Sequence, residues 1–163
     1  PSLPIFLRGD AMKRFEPKKI LAPVDFSQFS IEALKTALEI SEIRGARVTA
    51  LHVSEEPSFP DTYGQESVVH ANWQALREEK YQESEKELEA LVAVAEADQQ
   101  VERQTLMGDS SNEIVRMAKE GDYDLIVMST HGRTGLSRLL MGSVAERVIR
   151  HAPCPVFVIR GNS

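Results

Sequence analysis

Between positions 125 and 143 the chain reads LIVMSTHGRTGLSRLLMGS, and these residue types could handle an anion. The apolar run 125–128 is of strand type, the small residues 129–132 let the chain leave the strand, and Gly142-Ser143 opens a segment in which Val144, Ala145, Val148 and Ile149 fall on one helical face. A strand, a small-residue loop and a helix in that order can aim free backbone N–H groups and a helix N-terminus at a charged oxygen. Gly132 and Gly142 would let phosphate approach the backbone closely. A second reading is structural: Ser143 and Glu146 have the S-x-x-E spacing of a capping box, so Ser143 could cap its own helix while the glycines only turn the chain. Neither G-x-x-x-x-G-K-[ST] nor G-x-G-x-x-G occurs, which excludes a P-loop and a dinucleotide fingerprint.

Other reactive groups are sparse. Arg133, Arg138, Arg147, Arg150 and His131 are expected to gather around the loop, against the alternative of a solvated surface of mixed charge. His52, His70, His131 and His151 show no metal-ligand spacing, and no Ser-His-Asp or Cys-His set emerges. A lone Cys154 between Pro153 and Pro155 excludes an internal disulfide framework, fits a reducing compartment, and is expected to pack as a small apolar side chain. The net charge of −6 argues against a general binder of nucleic acid or of acidic membrane. No apolar run approaches the ~20 residues of a membrane span, and PSLPIFL is too short for a signal peptide, so a cytoplasmic location is expected.

The elements that must position these groups alternate regularly over a length of 163 residues, enough for one domain. Residues 1–17 show no period and form an arm without assigned fold; Met12 could be the natural start, which would make the residues before it an upstream extension. A buried strand is predicted at 18–24, ending in Asp25-Phe26-Ser27. A helix follows at 28–44, with Ser27 as N-cap, Gly45 as stop, and Ala33, Leu34, Ala37, Leu38 and Ser41 facing inward. A second strand at 47–53 and a loop at 55–65 lead to a long amphipathic helix at about 66–97. Its apolar positions are Val69, Trp73, Leu76, Tyr81, Leu88, Val92 and Ala95, interrupted near Lys80 and Ser84. A weaker edge strand is predicted at 101–107, then a helix with Ser110 and Glu113 as capping box that Gly121 stops. The last strands are 124–128 and 156–160. Five strands alternating with four helices make a doubly wound α/β sheet, whose ligands sit beyond the carboxyl ends of the strands where the strand order switches.

The loop resembles the G-x2-G-x9-G-[ST] nucleotide loop of the universal stress protein family, carried here by Gly132, residues 133–141, Gly142 and Ser143, with Ser129 where the family has its first glycine. The resemblance extends to ILAPVDFS, ALHV, GDSSNEIVRMAKEGDYDLIVMSTHGRTG and LLMGSVAERVIRHAPCPVFVIR, and so to nearly all of 18–160. It implies a parallel five-stranded sheet in the order 3-2-1-4-5, one domain over 18–161, and a homodimer formed through the last strand. It also implies ATP as ligand, or AMP or ADP, with Mg²⁺ carried by the phosphates. By the same resemblance Pro23 and Asp25 lie beside adenine and ribose, and Val53 makes a backbone contact to the base. Met128, Ser129, Gly132 and Arg133 follow the ribose and phosphates, and Gly142, Ser143 and Val144 hold the phosphate tail. For Asp25 the structural alternative is an Asx turn or a cap on the first helix; for Val53 and Met128 it is core packing.

The combined expectation is a nucleotide-binding stress-response regulatory dimer that switches with occupancy, acting on a protein partner the sequence does not name. The pyrophosphate loop SGG-x-DS of adenylating enzymes is absent, PVDFS standing in its place, so ATP hydrolysis is expected to be slow and incidental at most. The alternative is a nucleotide-free dimeric interaction module of the same fold, which Ser129 favours because its Cβ restricts the backbone at the motif's first position.

Overall fold

A computed structural model describes residues 15–57, 67–95, 101–130 and 141–160, with side chains in the second helix from residue 72 onward. The elements are β1 (Lys19–Val24), α1 (Gln28–Arg44), β2 (Arg47–Ser54), α2 (Ser67–Val94), β3 (Val101–Met107), α3 (Ser110–Glu120), β4 (Leu125–Ser129), α4 (Ser143–His151) and β5 (Val156–Ile159). All strand pairs are parallel and the sheet order is β3-β2-β1-β4-β5. This is the doubly wound architecture expected from the alternation of strands and helices. Element ends shift by a few residues from the expected ones; most consequentially, Ser129 belongs to β4, paired with Ile159, rather than to the loop after it.

The period of two along the strands divides the core into two layers. Ile20, Ala22, Val24, Val48, Ala50, Leu125 and Val127 face α1 and α2, while Leu21, Leu51, Val53, Ile126 and Met128 face α3 and α4. Both faces are covered, which is why β1 and β4 read as apolar runs and why even Thr49 and His52 of β2 are buried. On α1, Ser27 caps as expected, its side chain accepting from the Ser30 N–H, and Gly45 ends the helix at φ 66°. The left-handed cap sits in open space, so backbone conformation alone explains the glycine there.

Two readings of helix faces need correction. On α2 the buried residues after Lys80 are Ser84, Leu88, Leu91, Val92 and Ala95, an i, i+4, i+7 series that includes the serine, while Leu76 is exposed. Ser84 satisfies its hydroxyl on the Lys80 carbonyl at 2.9 Å, so a polar residue sits on the inner stripe without a stranded donor, and the apparent interruption is no interruption. On α4 only Ala145 and Val148 are buried; Val144 and Ile149 are 37% and 42% exposed. A nine-residue helix resting against one end of the sheet has too narrow a contact stripe to take in all four.

β1 is stitched to β4 at its beginning by Asp124. The Asp124 carboxylate accepts from the Lys18 and Lys19 N–H groups at 2.8 and 2.9 Å, and the Asp124 N–H donates to the Lys19 carbonyl at 2.9 Å. Charge-assisted bonds to two backbone donors fix where the central pair of strands begins. Asp124→Ala is expected to lower unfolding free energy by about 1–2 kcal/mol, read as a reduced urea midpoint at unchanged slope. An unchanged midpoint would mean that β1 and β4 register without this clamp.

Candidate functional site

The central strands part company before they end. Pairing of β1 with β4 is recorded at Ile20↔Leu125 and Leu21↔Ile126 only, whereas β1 continues to Val24 and β4 to Ser129. Pro23, which brings no N–H to a ladder, sits where that pairing has stopped. Beyond it opens a cleft of about 220 Å³ at the carboxyl ends of the strands, where the sheet order turns from β1 to β4.

Eight of the expected site residues line this cleft: Pro23, Asp25, Val53, Met128, Ser129, Gly142, Ser143 and Val144. Gly132 and Arg133 lie outside the described residues, as do His131 and Arg138 of the expected basic cluster. Val53 and Met128 are 9% and 5% exposed and pack in the layer beneath α3 and α4, so each is at once core and cleft wall. Asp25 adopts its structural alternative and also borders the cleft. Its Oδ1 accepts from the Ser27 N–H at 3.1 Å and from the Ser27 hydroxyl at 2.6 Å, an Asx turn, while the residue borders the cleft.

Sequence reasoning missed part of the wall. Ser110 and Ile114 of α3, Leu51 of β2, and Ser30 of α1 also line the cleft. The capping pattern predicted the helix that carries Ser110 and Ile114, but not that α3 overhangs the end of β2.

The helix N-termini at the cleft differ in how they are finished. α3 is capped by Asp109 and not by Ser110: the Asp109 Oδ1 accepts from the Asn112 N–H at 2.9 Å and from the Ser111 hydroxyl at 2.6 Å. Asp109 wins because a carboxylate placed one residue earlier reaches the orphan amide with full charge. α4 has Gly142 at its N-cap and no side-chain cap at all. The capping-box reading of Ser143 is therefore wrong: Ser143 is the first helical residue, and Glu146 pairs with Arg150 at 2.7 Å instead. With the Glu146 N–H already donating to the Gly142 carbonyl, the N–H groups of Ser143, Val144 and Ala145 have no acceptor among the described residues. All three residues line the cleft.

Gly142 is fixed there by its own N–H, which donates to the Thr130 carbonyl at 2.8 Å and closes the segment between β4 and α4. A Cβ at Gly142 would lie 3.1 Å from that carbonyl oxygen, so a side chain would press on the closure itself. Of the expected basic cluster only Arg147 and Arg150 are among the described residues, and neither lines this cleft. Arg150 is tied to Glu146, and Arg147 stands 3.6 Å from Asp109 Oδ2 in a neighbouring hollow that shares Ser110, Ser143 and Val144 with the cleft. Burial pushes the Cys154 thiol up, and the Asp124 carboxylate adds to it, so the cysteine stays a protonated small side chain. Among the described residues no group of three or more His, Cys, Asp or Glu could hold a metal ion, and no helix is long and apolar enough to cross a membrane.

Asp109 links this geometry to pH. The Ser111 hydroxyl, followed by the Asn112 N–H, holds its carboxyl below the usual carboxylate range. A folded-state value below the unfolded one stabilises the native protein above the unfolded value, and that contribution fades as pH falls through the folded value. Asp109→Ala is expected to cost about 1 kcal/mol at neutral pH. The gap between variant and parent, followed by thermal melts from pH 7 downward, should close below about pH 4; a gap that stays constant would separate the cap from its charge.

A model of the universal stress protein family matches residues 16–160. Universal stress protein MJ0531 of Methanocaldococcus jannaschii is 39% identical over 144 residues, which is 88% of this chain and 82% of that protein. The solved structure of MJ0577 from the same organism superposes with a TM-score of 0.75 at 30% identity, covering 90% of this chain and 97% of the other. A universal stress protein solved in complex with cAMP superposes with a TM-score of 0.65 at 20% identity over 88% of this chain and 97% of that one, a likeness of fold.

Proposed function

The chain belongs to the universal stress protein family, and on that footing we propose that it is an adenine-nucleotide-binding regulatory protein whose signal is occupancy of the cleft between β1 and β4. The observation that carries this reading is the bare N-terminus of α4. Three backbone donors, on Ser143, Val144 and Ala145, open into the cleft without a cap, and the helix dipole adds positive potential at the same point. A phosphate group satisfies donors arranged in this way. The rest of the wall suits a nucleoside: Val53, Ile114 and Met128 offer apolar surface to a base, and Asp25 offers carboxylate oxygens to ribose hydroxyls or an amino group. A cAMP complex on the same fold, in a protein only 20% identical, is in keeping with a purine nucleotide in this crevice.

On this reading Pro23, Asp25, Val53, Met128 and Ser129 flank the adenosine, Gly142, Ser143 and Val144 meet the phosphates, and Gly132 and Arg133 extend the contact. ATP is the proposed ligand, with Mg²⁺ held through its phosphates. Turnover is not what the described walls are suited for, since the phosphate end presents amides and a serine but no lysine. The proposed assembly is a homodimer through β5, supported by that strand's place at the sheet edge and by Phe157, 49% exposed on it. Occupancy would act through α4 and the 131–140 connection, altering the surface shown to the second subunit or to a protein partner. Ser129 favours the nucleotide-free alternative, because its Cβ stands where the family motif has glycine; its place inside β4 lessens the weight of that difference, since strand backbone suits serine.

Protein purified without added ligand is expected to release adenine nucleotide on acid precipitation, and emptied protein to bind Mg-ATP by calorimetry. Gly142→Leu should weaken that binding at least about tenfold while the circular dichroism spectrum is unchanged. No released nucleotide together with no heat from Mg-ATP would sink the reading.

A further inference from the structure

Asp25 is presented to the cleft by a backbone that a non-glycine chain seldom adopts. The next residue, Phe26, has φ of 65°, in the left-handed region that a bulky side chain occupies only when its surroundings impose it. The surroundings here include His52. Its side chain projects from the face of β2 that carries Val48 and Ala50, not the face that carries Leu51 and Val53, and it does not line the cleft. It is 9% exposed.

From that position His52 grips the chain on both sides of Asp25. Its Nδ1–H donates to the Val24 carbonyl at 2.9 Å; since a carbonyl can only accept, this bond also fixes the tautomer. Its ring lies against that of Phe26, with centroids 4.1 Å apart and planes at 30°. The contact arises from register. Val24 and His52 are the last partners in the β1–β2 ladder, so the side chain opposite the strand end reaches the turn that follows it. A leucine would supply volume without the donor, and an asparagine the donor without the flat face. The third restraint on the turn is the Asx bond from Ser27 to the Asp25 Oδ1.

We propose that His52 is a positioning residue of the nucleotide site: through the Val24 carbonyl and the Phe26 ring it holds the left-handed turn that directs Asp25 into the cleft, without touching a ligand. The proposal rests on the reading of Asp25 as a nucleoside contact, and its test separates the two. In a double-mutant cycle on the full chain, His52→Leu should weaken Mg-ATP binding about tenfold in the parent but less than about twofold in an Asp25→Ala background, because the turn then has no carboxylate to aim. Equal losses in both backgrounds would overturn the positioning role while leaving nucleotide binding intact. A second arm needs no ligand. In ¹H–¹⁵N spectra His52→Leu should displace the Ser27 amide, which donates to Asp25, and leave the Gly45 amide, bonded to the Ser41 carbonyl at the far end of α1, in place. Unmoved Ser27 signals would defeat the proposal whether or not nucleotide binds; displaced signals in a protein that binds no nucleotide would show that His52 holds the turn but overturn the nucleotide reading, and with it the turn's role in a site. Should His52→Leu not fold, Phe26→Gly takes its place, since glycine accepts the left-handed angle and removes the ring that His52 holds. The same displacement of Ser27 is expected from it, and a still Ser27 amide again counts against the proposal.

Discussion

A parallel sheet satisfies its peptide groups by pairing, and two neighbouring strands that separate while still extended must find other partners for what they leave behind. β1 and β4 are recorded as paired at only two positions and then diverge, with Pro23 on one side and Met128 and Ser129 on the other. Three restraints keep that divergence in place. Asp124 anchors the beginnings of the two strands, the Thr130–Gly142 bond anchors α4 over the far end, and the Asx turn at Asp25 carries β1 into α1. The cleft is thus a consequence of topology: α1 leaves β1 toward one face of the sheet and α4 returns from β4 on the other, so neither covers the gap between the strand ends.

The treatment of helix ends shows where the chain withholds its own side chains. α1 and α3 carry side-chain caps, from Ser27 and Asp109, each worth on the order of 1 kcal/mol. α4 carries none, although Ser143 and Glu146 stand at a spacing that could supply one if the helix began a residue later. The helix begins at Ser143 because Gly142 is held by the Thr130 carbonyl, which sets the cap position one residue before the serine. A single backbone bond thereby turns a self-sufficient helix start into an uncapped one, at residues that line the cleft.

Much of this was readable in the amino acids. The alternation of apolar runs with amphipathic segments gave all nine elements, and Pro23, Asp25, Met128, Ser129, Gly142, Ser143 and Val144, the described residues singled out at the strand ends, converge on one crevice. What escaped depended on information that local pattern does not carry. The Asp109 cap lost out to Ser110 because two good capping residues are adjacent and only the backbone decides between them. Ser84 looked like a break in an apolar stripe because its hydroxyl bond to its own helix is invisible in the sequence. Arg150 was expected among basic groups around the loop, against the alternative of a mixed-charge surface, and its four-residue spacing from Glu146 gives a pair within the helix instead. Ser110 and Ile114 were missed as wall residues because their position over β2 is set by the sheet order rather than by anything in α3 itself. Gly132 and Arg133, central to the motif, lie outside the described residues.

The described walls of the cleft offer a ligand apolar surface and an uncapped helix start. Phosphoryl transfer needs groups that meet charge as it develops on the moving phosphoryl, above all a lysine, an arginine or a fixed metal. Here the nearest described arginine, Arg147, faces Asp109 across the neighbouring hollow, and the uncapped amides are fixed parts of a helix start. Interactions that are equally strong before reaction and during it lower a dissociation constant without lowering a barrier. A ligand that stays bound and unchanged can still carry information, provided that it binds one conformation better than another. The contacts proposed for it lie on the turn after β1 and on the first turn of α4, two segments joined to opposite layers of the core. Only a ligand that touches both would register how far apart they stand, and that distance is the quantity a partner docking on α4 or β5 could sense.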